Sequence, residues 1–153
     1  MIVKVDNSRA KENIPTNICD WWNYGGITRD VSLAILPQKY VSDYKFVYSN
    51  DWKSDPRAKK GFISGYIQLN NEIAGEEVNL SIPELKLSLN LKTDASGRAG
   101  FSFNARPKLW SPESPKLYEV DLSYGECNLT DEVGFRTIET EGKKILLNGK
   151  HVF

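Results

Sequence analysis

The chain has 153 residues, enough for one ordinary domain or for one domain with pieces of its neighbours attached. Its twenty basic and twenty acidic side chains cancel, so the basic excess usual in a nucleic-acid-binding protein is missing. There is no run of about eighteen apolar residues, so no membrane-spanning helix is expected, and the start MIVKVDN has neither the apolar stretch nor the cleavage site of a signal peptide.

Residues 2–6 alternate and read as a strand without a lead-in, as though the chain opened inside a domain. Residues 7–18 are polar and turn-rich. The densest aromatic cluster follows, Cys19-Asp20-Trp21-Trp22-Asn23-Tyr24-Gly25-Gly26. Its paired glycines permit positive φ or a close approach by another segment. Residues 28–36 read as a second strand, with Val31, Leu33 and Ile35 on one face and Pro37 as its stop.

From residue 40 to residue 138 strands recur at regular spacing: 40–48, 62–69, 76–82, 85–91, 99–104, 117–124 and 131–138. Leu85, Leu87, Leu89 and Leu91 alternate with Lys86, Ser88 and Asn90, and Tyr118, Val120, Leu122 and Tyr124 with Glu119, Asp121 and Ser123. Pro107, Pro112 and Pro115 exclude a helix or a central strand between the fifth and sixth strands. That stretch reads as a stiff crossing loop with Trp110 as its apolar anchor. Residues 143–147 form one more strand, and Asn148-Gly149 is a hairpin-type turn.

No segment has helical periodicity. Seven short strands in about a hundred residues predict an all-β, immunoglobulin-like antiparallel sandwich. It lacks the cysteine–tryptophan–cysteine arrangement of antibody domains, so packing alone must hold it. Cys19 and Cys127 are far apart and read as free thiols rather than a disulfide or metal ligands.

Three blocks carry a resemblance: DWWNYGGITRDVSL at 20–33, LWSPESPKLY at 109–118 and VGFRTIETEGKKILLNGKHVF at 133–153. In this order and spacing they resemble glycoside hydrolase family 2, the β-galactosidase and β-glucuronidase family. His151 departs from it, standing where the family pattern has proline. The resemblance implies a jelly-roll sugar-binding domain, then a sandwich, then a TIM barrel. On it, 1–37 is the end of the jelly roll, contributing extra strands, 38–138 is the sandwich and 139–153 leads into the barrel.

In that family an acid/base glutamate and a nucleophilic glutamate, spaced as a retaining mechanism requires, lie in the barrel. Nothing here aligns with them, so the resemblance implies a piece of a hydrolase that is inert alone. It also implies that Asp20 reaches the sugar in the full-length enzyme, and that a carbohydrate partner belongs to that enzyme alone. The competing reading of Asp20 is a turn-forming residue.

The other candidates are weaker. Trp21 and Trp22 offer faces for sugar stacking, or packing anchors, and with Tyr24 they motivate a binding-module reading. Glu76-Glu77 and Asp131-Glu132 are adjacent on strands and point to opposite faces, so neither pair converges on one bond. Asn50, Asp51 and Asp55 lack regular calcium-ligand spacing. His151, the only histidine, has no recognisable catalytic company. Arg136 reads as a structural ion pair or hydrogen bond. No cofactor or metal is implied, and no nucleic-acid or membrane partner. Unpaired strands within 1–37 are expected to fold back or to self-associate. The rival functional reading is a free-standing carbohydrate- or protein-binding sandwich.

Overall fold

A computed structural model describes residues 2–12, 24–50 and 61–152. The chain divides into two compact units, Met1–Ile35 and Leu36–Phe153.

Among its described residues the second unit is all β apart from one short 3-10 turn. Its strands are β1 (Val41–Ser49), β2 (Gly61–Leu69), β3 (Glu77–Ile82), β4 (Leu87–Lys92), β5 (Arg98–Ala105), β6 (Tyr118–Tyr124), β7 (Cys127–Val133), β8 (Ile138–Glu141), β9 (Lys144–Leu147) and β10 (Lys150–His151). Two antiparallel sheets, ordered β1-β2-β5 and β4-β3-β6-β7, make the sandwich. A third small sheet, β10-β9-β8, follows it.

Alternation decides which residues face inward. Ile63, Ile67 and Leu69 of β2 meet Val78, Leu80 and Ile82 of β3 and Tyr118, Val120, Leu122 and Tyr124 of β6 in one core. Phe101 joins from β5, and Phe135 from beyond β7. Burying one such side chain contributes about 1.5–3 kcal/mol, so packing can hold the sheets together without a disulfide. Cys127 is a free, half-buried thiol; Cys19 lies outside the described residues.

Two boundaries differ from the sequence reading. The predicted strand 85–91 is shortened because Pro83–Leu85 forms a 3-10 turn, closed by Lys86 in the left-handed region at φ 52. Lys86 N–H donates to Pro83 O at 2.9 Å. So tight a return makes β4 the hairpin partner of β3, with Ile82 opposite Leu87. β4 thus leaves the sheet it occupies in constant-type immunoglobulin domains, where the fourth strand pairs with the fifth. The predicted strand 131–138 is instead β7, which begins at Cys127 and ends at Val133. Gly125, at φ 59, turns β6 directly into β7, so the ladder starts earlier than the acidic pair suggested.

The two strands predicted in the first unit do not form ladders: residues 2–6 and 28–35 carry no strand assignment. Val31, Leu33 and Ile35 are 61%, 83% and 91% exposed. An alternating sequence becomes a strand only when a neighbour takes its backbone groups and a surface covers its apolar face. The glycine pair does behave as predicted. Gly26 adopts φ 105, and a Cβ on Gly25 would stand 3.0 Å from the Asn7 side chain.

Candidate functional site

A connected set of polar contacts lies between the end of the sandwich strands and the small third sheet. The proline-rich loop docks there through backbone: Trp110 N–H donates to Phe135 O at 2.8 Å, and Lys108 N–H donates to the Tyr118 hydroxyl at 2.7 Å. A Cβ on Gly134 would lie 3.0 Å from Trp110 Cδ1, so glycine lets the indole seat against the chain. The Arg136 guanidinium stands over the Trp110 ring at 5.5 Å, a cation–π contact that gives it a structural place here.

Asn148 ties this loop to the small sheet. It opens the hairpin turn at φ 52, and Gly149 follows at φ 75, the two positive values that a type I′ turn requires. Its backbone N–H donates to Thr137 O at 3.0 Å, and its Oδ1 accepts from Thr137 N–H at 3.0 Å. Its Nδ2 donates to Trp110 O at 3.0 Å. One side chain thus fixes the turn, the start of β8 and the proline loop. The sequence marked Asn148 as a turn former; the clamp carried no local signal, because its partners lie eleven and thirty-eight positions away.

Beside the clamp is a groove of about 480 Å³, lined by Leu109, Ser111, Glu113, Leu147, Lys150 and His151 among others. Glu113 is held below the usual carboxylate range by its own backbone N–H, then by the Ser111 hydroxyl, with a weaker pull from Lys150. His151 is exposed on β10.

The remaining candidates are structural or fall elsewhere. Glu76 pairs with Lys39 at 2.8 Å and accepts from the Tyr124 hydroxyl at 2.7 Å, which together lower its pKa, the lysine first. Glu77 faces Lys92 instead, at 3.8 Å, so the two carboxylates diverge. Asp20, Trp21, Trp22, Asp51 and Asp55 lie outside the described residues. Tyr24 is 81% exposed. Among the described residues no group of three or more His, Cys, Asp or Glu is placed to hold a metal. None of their helices is long and apolar enough to cross a membrane.

Asp131 has a task that its neighbour Glu132 does not share. The Tyr44 hydroxyl of β1 donates to its carboxylate, joining the outer strands of the two sheets. This bond, then the Glu132 backbone N–H, depresses the Asp131 pKa; the same bond, with some burial, pushes Tyr44 up to about 12. The two shifts have opposite consequences for pH dependence. The Asp131 contribution is present above 3.8 and is lost as pH falls through the depressed folded value. The Tyr44 contribution is complete below 10.0 and is lost as pH rises to about 12. The stability difference between the native chain and Tyr44→Phe, measured by urea titration, should therefore be flat at neutral pH and shrink across that alkaline window. A difference independent of pH there would mean that the bond does not form in solution.

These features define an immunoglobulin-like β-sandwich domain with a clamped exit. The chain belongs to glycosyl hydrolase family 2, which matches residues 40–136. It is 29% identical to a putative β-glucuronidase of Formosa agariphila over 99% of the chain, but that covers only 20% of the relative. A β-galactosidase of Streptococcus thermophilus is 32% identical over 87% of the chain and 14% of its own length. The chain thus spans a fifth or less of these curated relatives. Among solved structures, a family 2 β-galacturonidase of Eisenbergiella tayi, bound to galacturonate, superposes with a TM-score of 0.70 at 31% identity. That match covers 96% of this chain and 27% of the other.

Proposed function

We propose that this chain is the non-catalytic sandwich region of a larger family 2 glycosidase, and that its work is geometric. In this reading 1–37 belongs to the sugar-binding jelly roll, 38–138 is the sandwich, and 139–153 leads into the barrel that holds both catalytic glutamates of a retaining mechanism. The whole enzyme acts on a β-galactoside or a β-glucuronide, and Asp20 contacts its sugar. The Asn148 clamp carries the reading, because it sets the direction in which the chain leaves the sandwich. Direction matters: a displacement of about 1 Å at reacting groups can cost on the order of a hundredfold in rate.

The chain by itself is expected to hydrolyse neither an aryl β-galactoside nor an aryl β-glucuronide. Turnover that follows the protein through repurification and disappears in Asp20→Ala would overturn the reading. Asn148→Ala should loosen the exit, seen as faster amide exchange at Trp110 and Thr137 with the β2, β3 and β6 amides unchanged. In the whole enzyme the same substitution should lower kcat more than it raises KM.

The exposed alternation of Val31, Leu33 and Ile35 supports one further reading, self-association of the isolated chain through the first unit. Sedimentation should then give a mass that rises with concentration, and Leu33→Lys with Ile35→Lys should restore the monomer.

A further inference from the structure

The two open sides of the sandwich are finished differently. On one side the outer strands β1 and β7 are joined by the Tyr44–Asp131 bond. On the other side the outer strands are β4 and β5, and a groove of about 420 Å³ opens between the start of β4 and the end of β5. Its apolar wall is Leu85, Leu87, Phe103 and Ala105, each partly buried against the core. The core therefore reaches the surface here.

The charges of this groove are unbalanced. Lys86 and Arg106 line it, and neither has an ion pair among the described residues. Glu84, the acid of the lining, is already held by Lys116 at 2.6 and 2.7 Å. Lys86 also sits at φ 52, where glycine would be relaxed and a lysine is strained. A lysine there keeps a cation at the groove at the expense of backbone comfort, and strain held at a concave, charged surface points to use.

We propose that this groove binds an extended acidic segment of another polypeptide chain, added as a strand to the outer edge of β5 around residues 103–105. Among the described residues only β2 pairs with β5, on one side, so the other side presents main-chain donors and acceptors to an incoming strand. Alternate apolar side chains of that segment pack on Leu85, Leu87 and Phe103. Its carboxylates meet Lys86 and Arg106, the guanidinium offering a paired-donor geometry. The proposal is independent of the geometric role assigned above.

The test uses the intact chain and a fluorescent peptide of about six residues alternating valine and glutamate, a typical strand length. Anisotropy should report binding that weakens as salt is added. Lys86→Glu with Arg106→Glu should weaken it roughly tenfold, as expected for two exposed ion pairs turned repulsive, and should favour a valine–lysine peptide instead. Lys86→Gly should weaken binding while leaving the thermal midpoint equal or higher, which separates lost charge from a lost fold. Amide exchange at 103–105 should slow in the complex.

Equal affinity for the valine–lysine peptide, or affinity unchanged in the double charge reversal, would overturn the proposal. So would full competition by a simple aryl carboxylate. Concentration-dependent association of the chain that the double reversal abolishes would also overturn it, with a second copy as the occupant.

Discussion

Replacing Gly65 with valine should prevent the sandwich from forming. An ideal Cβ at this position would stand 1.8 Å from the Lys45 carbonyl oxygen and 2.8 Å from Phe101 Cζ. The first obstacle is backbone of the neighbouring strand, which cannot rotate away as a side-chain tip can. β2 is the middle strand of its sheet, so moving it disturbs both ladders, Phe46 opposite Gly65 on one side and Phe101 on the other. Overpacking a core costs about 1–3 kcal/mol when side chains can adjust. A backbone obstruction belongs at or beyond the top of that range, a large share of the roughly 5–15 kcal/mol that holds a domain. Gly100 is the control. It lies opposite Tyr66 in the next strand, and the nearest atom to its ideal Cβ is Gly65 O at 4.0 Å. Gly100→Val should fold with stability unchanged or slightly raised, since a branched side chain suits an exposed strand position. Urea titration by far-ultraviolet circular dichroism distinguishes them; a cooperative transition for Gly65→Val within about 1 kcal/mol of the native chain would refute the close-approach argument.

That pair also marks where the sequence becomes opaque. Both glycines stand in alternating strands, and their neighbours give no sign that one touches backbone and the other open space. What was legible follows from periodicity over several residues. β2, β3, β5 and β6 lie close to their predicted positions because each buries every second side chain. The prolines likewise forecast the loop that Trp110 anchors. Less legible were places where one pattern runs through two structures. The leucine alternation continues from Leu85 into β4 although Leu85 sits in a 3-10 turn, because Pro83 and Lys86 close that turn without changing which side is apolar. Val133 and Phe135 alternate as one strand would, yet the ladder stops at Val133 and Phe135 enters the core from the following segment.

Long-range polar contacts were invisible for a different reason. Tyr44 and Asp131 are eighty-seven positions apart, and each looks locally like an ordinary strand residue. Asn148 was recognisable as a turn residue because φ > 0 is a local demand; its bond to Trp110 O depends on where the proline loop docks. The family resemblance, by contrast, was read from three blocks, and the match over residues 40–136 agrees with it.

Phe135→Ala is the second large effect, expected to cost about 3–5 kcal/mol, as truncation of a buried phenylalanine does when its site cannot collapse. Phe135 is 2% exposed, with its ring 5.5 Å from Tyr118 and 6.5 Å from Phe46, one from each sheet. The position cannot easily close over a void, because its own carbonyl is held by Trp110 N–H and the residue before it is pressed by the indole. Two consequences separate this from simple loss of apolar area. Phe135→Leu should recover most of the loss, since it leaves a smaller void. Trp110→Ala should cost less than Phe135→Ala, because Trp110 is only half-buried; it removes a loop anchor rather than a bridge between sheets. Amide exchange should show Phe135→Ala speeding opening in β1 and β6 together, whereas Trp110→Ala should act on residues 108–117 and 134–137 alone. If Phe135→Ala lowered stability by less than about 1 kcal/mol, or altered only the loop, the core would not extend past β7 as described.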